Sequence, residues 1–211
     1  MIDILIADDH AIVREGLKQI VNQQIDIQVT GEAANANELL QKLKHDHWDV
    51  IILDINMPGQ NGLEVLKEIH TLYPRLPVLI LSIYDEEQYG LRSIKAGAAG
   101  YLKKVSAPEE LVHAIQTVYK GNKYISASLA EKLADSIHLN QNGPPHEKLS
   151  DREYEILCLI ASGKSAEQIA GQFSISVHTY YSYRNRIMEK MQLKSNVELT
   201  QYAIQNGLID L

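Results

Sequence analysis

Residues 1–120 alternate two hydrophobic periods. Short apolar runs rich in β-branched residues occur at 2–7, 27–33, 50–53, 78–81 and 100–102. Between them Val13/Leu17/Ile20/Val21, Leu39/Leu40/Leu43, Leu66/Ile69/Tyr73 and Leu111/Ile115/Val118 recur at the three- and four-residue spacing of a helix face. Strands that are apolar almost throughout belong to a parallel sheet, because right-handed crossovers lay helices on both of its faces. The pattern predicts a doubly wound α/β domain of five βα units.

The rhythm then breaks. A short helix is predicted over 126–137, followed by the polar stretch HLNQNGPPH at 138–146, which reads as a linker. Beyond it strand signals vanish. Three capping boxes appear, Ser150 with Glu153, Ser165 with Gln168 and Ser195 with Glu198, and a further helix can start after Ser176. The C-terminal part is therefore a small all-α bundle of about four helices. The boundaries implied are 1–121 for the first domain, 122–147 for the linker and 148–211 for the second domain.

Composition narrows the class only a little. The chain is 45% hydrophobic and 22% charged, and no apolar run approaches the roughly 18 residues of a membrane span. Its first residues lack the basic start of a secretory signal, and Cys158 is a lone cysteine set among aliphatics, read as a core thiol. Both features predict a cytoplasmic protein without a membrane partner. The net charge of −7 is unevenly spread. From residue 148 onward Lys148, Arg152, Lys164, Arg184, Arg186, Lys190 and Lys194 balance Asp151, Glu153, Glu155, Glu167, Glu189, Glu198 and Asp210. The acidity belongs to the first domain, and it leaves nucleic-acid binding open to the second.

In an open parallel sheet, ligands sit beyond the carboxyl ends of the strands, where strand order reverses. The first strand here ends in Asp8-Asp9, the third in Asp54 and the fourth in Ser82, and the fifth runs into Lys103-Lys104. The second contributes nothing, as an order of 2-1-3-4-5 requires of a marginal strand. Taken singly, Asp9 reads as a helix cap, Asp54 as a turn former, Ser82 as a strand-end hydroxyl and Lys104 as a solvated lysine. Together, at the ends of four strands, they read as a pocket. Clustered carboxylates need a cation, and hard oxygen ligands favour Mg²⁺. A carboxylate held there can attack a phosphoryl group, whose oxygens Lys104 and Ser82 would bind.

The segments Ala7-Asp8-Asp9-His10, Leu53-Asp54-Ile55-Asn56-Met57-Pro58-Gly59, Leu81-Ser82 and Gly97-Ala98-Ala99-Gly100-Tyr101-Leu102-Lys103-Lys104 resemble the signatures of two-component receiver domains. The resemblance implies a flavodoxin-like fold with Asp54 as phosphoacceptor. It implies that Asp9 and Asp54 ligate the metal directly, Asp8 through water, and Asn56 through its backbone carbonyl. Lys104, four residues after Gly100, takes the conserved lysine's place and Lys103 is merely exposed. Ser82 and Tyr101 would form the switch, the one turning toward the phosphoryl group and the other changing its burial. Tyr84, two residues beyond Ser82, is placed to hinder water that hydrolyses the acyl phosphate.

Residues 165–191 have helix-turn-helix spacing, with a break at 173–176. At 100° per residue Tyr180, Tyr183, Ile187 and Met191 share one side of the second helix, and His178, Tyr181, Ser182 and Asn185 the other. Arg186 and Lys190 flank that polar face, where they suit phosphates, while His178, Thr179, Tyr181, Ser182 and Asn185 suit base edges in a major groove. Leu149-Ser150-Asp151-Arg152-Glu153, Ile169-Ala170, Ser176-Val177-His178-Thr179 and Ile187-Met188-Glu189-Lys190-Met191 resemble the LuxR-type helix-turn-helix of NarL/FixJ response regulators.

Departures at Ala166, Glu167, Tyr180 and Tyr181 lower the positive charge facing DNA, so a single subunit should bind weakly. In the family the last helix, here about 196–206, mediates pairing. Its Val197, Leu199 and Ile204 suit either that role or the bundle core. The resemblance implies a regulator that accepts phosphate from a sensor histidine kinase or phosphotransfer protein, turns over no external substrate and binds promoter DNA as a homodimer, with RNA polymerase a further partner. Two other classes fit less well: a phosphotransferase acting on an external substrate, which would want an acid where Asn56 stands, and a phospho-switched module whose helices bind protein or RNA.

Overall fold

The computed structural model describes residues 1–57, 61–138 and 144–209, with only the backbone described at residue 87 and at 135–138. Pro58 and Gly59 of the third-strand motif and the middle of the predicted linker lie outside the described residues. The chain forms two compact units, Met1–Ala130 and Glu131–Leu211.

The first unit alternates β1 (Ile2–Ala7), α1 (Ala11–Val21), β2 (Ile27–Ala33), α2 (Ala36–His45), β3 (Val50–Leu53), α3 (Gly62–Leu72), β4 (Val78–Ser82), α4 (Glu86–Lys95), β5 (Gly100–Lys103) and α5 (Pro108–Tyr119). The strands are parallel in the order β2-β1-β3-β4-β5, as the strand-end chemistry required. Ile2, Ile4, Ile6, Val50, Ile52, Leu79 and Leu81 face Leu17 and Val21 of α1 and Leu111, Ile115 and Val118 of α5. Leu5, Ile51, Leu53 and Ile80 are also fully buried, and period-2 alternation sends them to the opposite face. Burying each such side chain contributes about 1.5–3 kcal/mol.

Register sets the site. Ala7 pairs with Leu53, so the next residues, Asp8 and Asp54, leave neighbouring strands at one level. The ladder continues past the strand ends through Asp54 N–H to Ala7 O at 2.8 Å and Lys104 N–H to Ser82 O at 2.8 Å. The backbone under the acids and the lysine is therefore fixed.

The fourth helix, α4, was implied by the βα alternation and has no apolar stripe of its own. It buries Gln88, Tyr89 and Ser93 instead. A Cβ on its Gly90 would meet Leu129 Cδ2 at 3.0 Å, so glycine here lets the first turn of α6 (Ala127–His138) lie against α4. Tyr124 bridges Gly100 beside β5, and its backbone bonds to Ala99 O and Tyr101 N–H at 2.9 and 3.2 Å. The first unit thus carries residues past 121.

The second unit has a 3-10 turn at Pro145–Lys148 followed by α7 (Asp151–Ala161), α8 (Ala166–Gln172), α9 (Val177–Met191) and α10 (Asn196–Gln205). Ser150/Glu153 and Ser165/Gln168 form complete capping boxes. Ser195 forms half of one: its hydroxyl accepts from Glu198 N–H, but the Glu198 carboxylate accepts from Lys194 N–H at 2.9 Å. The turn between α8 and α9 passes through Ser174 at φ 53, a left-handed conformation a non-glycine residue holds only at some cost. Cys158 is buried, with its Sγ 3.6 Å from Leu208 O, as a core thiol should be.

Candidate functional site

Asp8, Asp54 and Ser82 are buried at the carboxyl edge of the sheet, each 1% exposed or less. The Lys104 ammonium lies 2.6 Å from Asp8 Oδ2 and 2.7 Å from Asp54 Oδ2. Asp54 Oδ1 accepts from Asn56 N–H at 2.9 Å. Burial pushes the Asp54 carboxyl above its ordinary value, outweighing the ammonium and the Asn56 N–H, and the charge of Asp8 adds a little to the rise. Burial alone would lower Lys104, but the carboxylates of Asp54 and Asp8 outweigh it and hold the ammonium charged. Lys103 turns out of the pocket and pairs with Asp85, the residue that precedes α4.

Ser82 Oγ accepts from Tyr84 N–H at 3.2 Å and stands 3.5 Å from Asn56 Nδ2. Tyr101 is 3% exposed. Its hydroxyl donates to Tyr84 O at 2.9 Å, and burial raises its phenol far above the ordinary tyrosine value. The Tyr84 ring stacks on Tyr89 with centroids 4.7 Å apart. The β4–α4 loop is thereby tied to β5 by Tyr101 and to α4 by its own ring.

Asp9 is not a helix cap. The N-cap of α1 is His10, whose side chain makes no capping bond. Its Nδ1 instead lies 2.9 Å from Asp9 Oδ1 and 3.3 Å from Asp8 Oδ1. His10 is the residue that sequence reasoning left out of the site, although its place directly after the acidic pair was a usable signal. Ligand atoms of Asp8, Asp9, His10 and Asp54 all lie within 4.8 Å of one another. Three carboxylates at that spacing form a hard-oxygen donor set suited to a divalent cation.

In the second unit, α9 divides much as its period predicts. Tyr180, Ile187, Met188 and Met191 are buried, and His178, Tyr181, Ser182, Asn185 and Arg186 are exposed. Tyr183 is only half-buried. Thr179 stays at the first turn, its N–H bonded to Ser176 Oγ at 3.0 Å. The Tyr181 ring rests edge-on against Tyr180, with centroids 5.2 Å apart. Lys190 is already paired, with Nζ 2.6 Å from Glu153 Oε2. In α10 Leu199 is core, whereas Val197 is 76% exposed and Ile204 37%. Of the three, only Leu199 serves the bundle core. No helix among the described residues is long and apolar enough to cross a membrane.

A parallel 2-1-3-4-5 sheet with an acid-lysine pocket at its carboxyl edge, followed by a helix-turn-helix bundle, defines a phosphoacceptor domain joined to a helical output domain. Comparison with known proteins bears this out. Residues 4–116 match the response regulator receiver domain family and residues 147–203 the bacterial regulatory proteins of the luxR family.

Oxygen regulatory protein NreC of Staphylococcus epidermidis is 39% identical over 215 residues, covering 98% of this chain and 99% of that protein. Response regulator UvrY of Escherichia coli K12 is 36% identical over 209 residues, covering 99% and 96%. Among solved structures, RcsB from Salmonella enterica serovar Typhimurium, bound to promoter rprA in the presence of phosphomimetic BeF3-, superimposes with a TM-score of 0.65 at 27% identity, covering 96% of this chain and 98% of that one. The chain belongs to the NarL/FixJ family of two-component response regulators.

Proposed function

We propose that Asp54 is the phosphoacceptor and that its phosphorylation controls binding of α9 to promoter DNA. The observation that carries this is the bridge from Lys104 to both Asp8 and Asp54, at 2.6 and 2.7 Å. An Asp54 oxygen forms the new P–O bond as the P–N bond to a histidine of the partner kinase breaks. Lys104 stays beside Asp54 to neutralise the phosphoryl oxygens, and Ser82 turns its hydroxyl toward them.

Asp9 and Asp54 would hold Mg²⁺ directly, Asp8 through water and Asn56 through its carbonyl. The ion would supply further neutralisation of phosphoryl charge. As Ser82 leaves Tyr84 N–H, the bond from Tyr101 to Tyr84 O is the next contact to give, which couples the pocket to the α4–β5 face. The chain consumes no external substrate. Hydrolysis of its own acyl phosphate ends the signal.

For output, His178, Thr179, Tyr181, Ser182 and Asn185 face the bases, with Arg186 and Lys190 toward phosphates. RcsB was solved on promoter DNA, and its likeness to this chain across nearly the whole length supports the assignment. The same likeness supports a homodimer, since RcsB is also seen as dimers on DNA. Contact with RNA polymerase belongs to this reading, as does a cytoplasmic location, where promoter DNA is found. The receiver is assigned to 1–121, the linker to 122–147, with its first residues, to Ala130, part of the first compact unit, and the DNA-binding domain to 148–211.

The test is duplex binding by wild type and Asp54→Ala, with and without a small acyl-phosphate donor and Mg²⁺, at several salt concentrations. Donor-dependent tightening in wild type alone is expected, together with a steep fall of affinity with salt. Equal binding in all arms would detach the pocket from DNA. A flat salt response would point to protein or RNA as the target of the helices.

A further inference from the structure

We infer that His10 is a nitrogen ligand of the divalent cation and biases the pocket toward first-row transition ions such as Mn²⁺ over Mg²⁺. The inference rests on the cation site assigned to Asp8, Asp9 and Asp54 and adds a donor to it. Three observations carry it. First, His10 occupies the N-cap of α1 but does none of a cap's side-chain work, so its ring is not committed to the helix start. Second, its backbone N–H bonds Asp8 Oδ1 at 2.8 Å, which ties the base of the side chain to the acid cluster. Third, Nδ1 stands 2.9 Å from Asp9 Oδ1 and 3.3 Å from Asp8 Oδ1, and all four residues bring ligand atoms within 4.8 Å of one another.

The 2.9 and 3.3 Å spacings suit neighbouring ligands of a shared ion, and a small inward shift of the set, now spread within 4.8 Å, would complete it. An octahedral cation with bonds of about 2.1 Å holds neighbouring ligand atoms about 3 Å apart and opposite ones about 4.2 Å apart. The chemistry supplies the selectivity. Carboxylates serve Mg²⁺ and transition ions alike, whereas imidazole adds more to the binding of transition ions. The His10 side chain is 63% exposed, so its ring has room to turn Nδ1 toward an ion held by the acids.

A competing role makes the opposite prediction. If His10 only paired with the carboxylates, it would compete with any cation, and removing it would tighten Mg²⁺ and Mn²⁺ alike. The experiment measures Mn²⁺ and Mg²⁺ affinities of the full chain, metal-free at the start, for wild type, His10→Ala and Asp9→Ala. Mn²⁺ is followed by electron paramagnetic resonance and Mg²⁺ by competition.

The expected result is a loss of about tenfold or more in Mn²⁺ affinity in His10→Ala, with Mg²⁺ affinity changing by about twofold or less. A ¹⁴N modulation of the Mn²⁺ spectrum present in wild type should vanish in the same variant. Parallel changes for the two ions, or no ¹⁴N modulation in wild type, would overturn the role of His10. Retention of Mn²⁺ binding by Asp9→Ala at wild-type affinity would instead overturn the acid pocket as the cation site. Thermal melts of the three metal-free proteins show whether each variant is folded.

Discussion

Lys190 Nζ lies 2.6 Å from Glu153 Oε2 and so ties the last turn of α9 to the first turn of α7. The same carboxylate oxygen accepts from Ser150 N–H at 2.8 Å, closing the capping box. One acid therefore serves both the start of α7 and its tie to the last turn of α9. It also neutralises a lysine whose position on α9 suited a DNA phosphate.

This pair gives a pH signature. Burial alone would raise the Glu153 carboxyl, but hydrogen bonds from Lys190 and Ser150 outweigh it and hold it below its ordinary value of 4.5. A depressed carboxyl adds stability above its unfolded pKa and loses that contribution as pH falls through the folded one. Glu153→Gln should melt lower than wild type at pH 6–8, by about 1 kcal/mol for a partly exposed pair. The gap should close as the pH drops below 4.5. Thermal melts across that range check it, and a gap independent of pH would count against the pair.

The salt dependence of DNA binding should separate Arg186 from Lys190. Arg186 is exposed and has no carboxylate partner within salt-bridge distance among the described contacts, so replacing it with Ala should reduce the slope of log affinity against log salt by about 1. Lys190→Ala should reduce it by clearly less, and its main effect should be a lower melting temperature. Equal slopes for the two variants would restore Lys190 as an ordinary phosphate contact.

Asp54 should destabilise the resting receiver. Its carboxyl is pushed up mainly by burial, which means that folding disfavours its charged form. Stability from this group is gained only as pH falls through the raised folded value. Asp54→Asn should therefore melt a few degrees above wild type in metal-free buffer at pH 7. Mg²⁺ should narrow the difference, since it stabilises the wild-type pocket by binding it. Calorimetry with and without the ion reads both effects.

Much of the first unit was legible because its chemistry is tied to strand ends. The runs at 2–7 and 50–53 end one residue before an aspartate, and the observed Ala7–Leu53 pairing needs only that they be neighbours in register. Other features were hidden for physical reasons. α4 buries Tyr89, Gln88 and Ser93, so no apolar stripe marks it, and its place followed only from the alternation of the other elements. That His10 and not Asp9 starts α1 is a one-residue question that propensity does not settle, although the strand end already places Asp9 in the pocket. The Lys190–Glu153 pair joins residues 37 apart in sequence, beyond the reach of any local period.

The Tyr101–Tyr84 bond makes the pocket's loop sensitive to a single oxygen. Tyr101→Phe keeps the ring and removes the donor to Tyr84 O, a loss of about 1 kcal/mol. Amides of residues 83–85 should then exchange faster with solvent, while those of β4 are unchanged. Tyr84→Ala removes the stack on Tyr89 and a bulky ring two residues from Ser82, and should shorten the lifetime of phospho-Asp54. An unchanged lifetime would show that the ring does not screen the acyl phosphate from water.

Pairing of subunits should depend on Val197 more than on Leu199. Both lie on α10, but Leu199 is fully buried and Val197 is 76% exposed, beside an open groove of about 720 Å³ lined also by Ile160, Lys164, Thr200 and Ile204. A side chain that exposed contributes nothing to its own bundle, so Val197→Glu should leave the melting temperature of the second unit within about 0.5 kcal/mol of wild type. Leu199→Ala should cost about 2–5 kcal/mol through the cavity it leaves. If two copies meet on this helix, Val197→Glu places an acid at the centre of their contact. Binding to a duplex with two half-sites should then weaken by about tenfold, or 1.4 kcal/mol, with binding to a single half-site unchanged. Equal loss on both duplexes would mean that Val197 acts on DNA contact instead, and no loss on either would move the pairing surface away from α10.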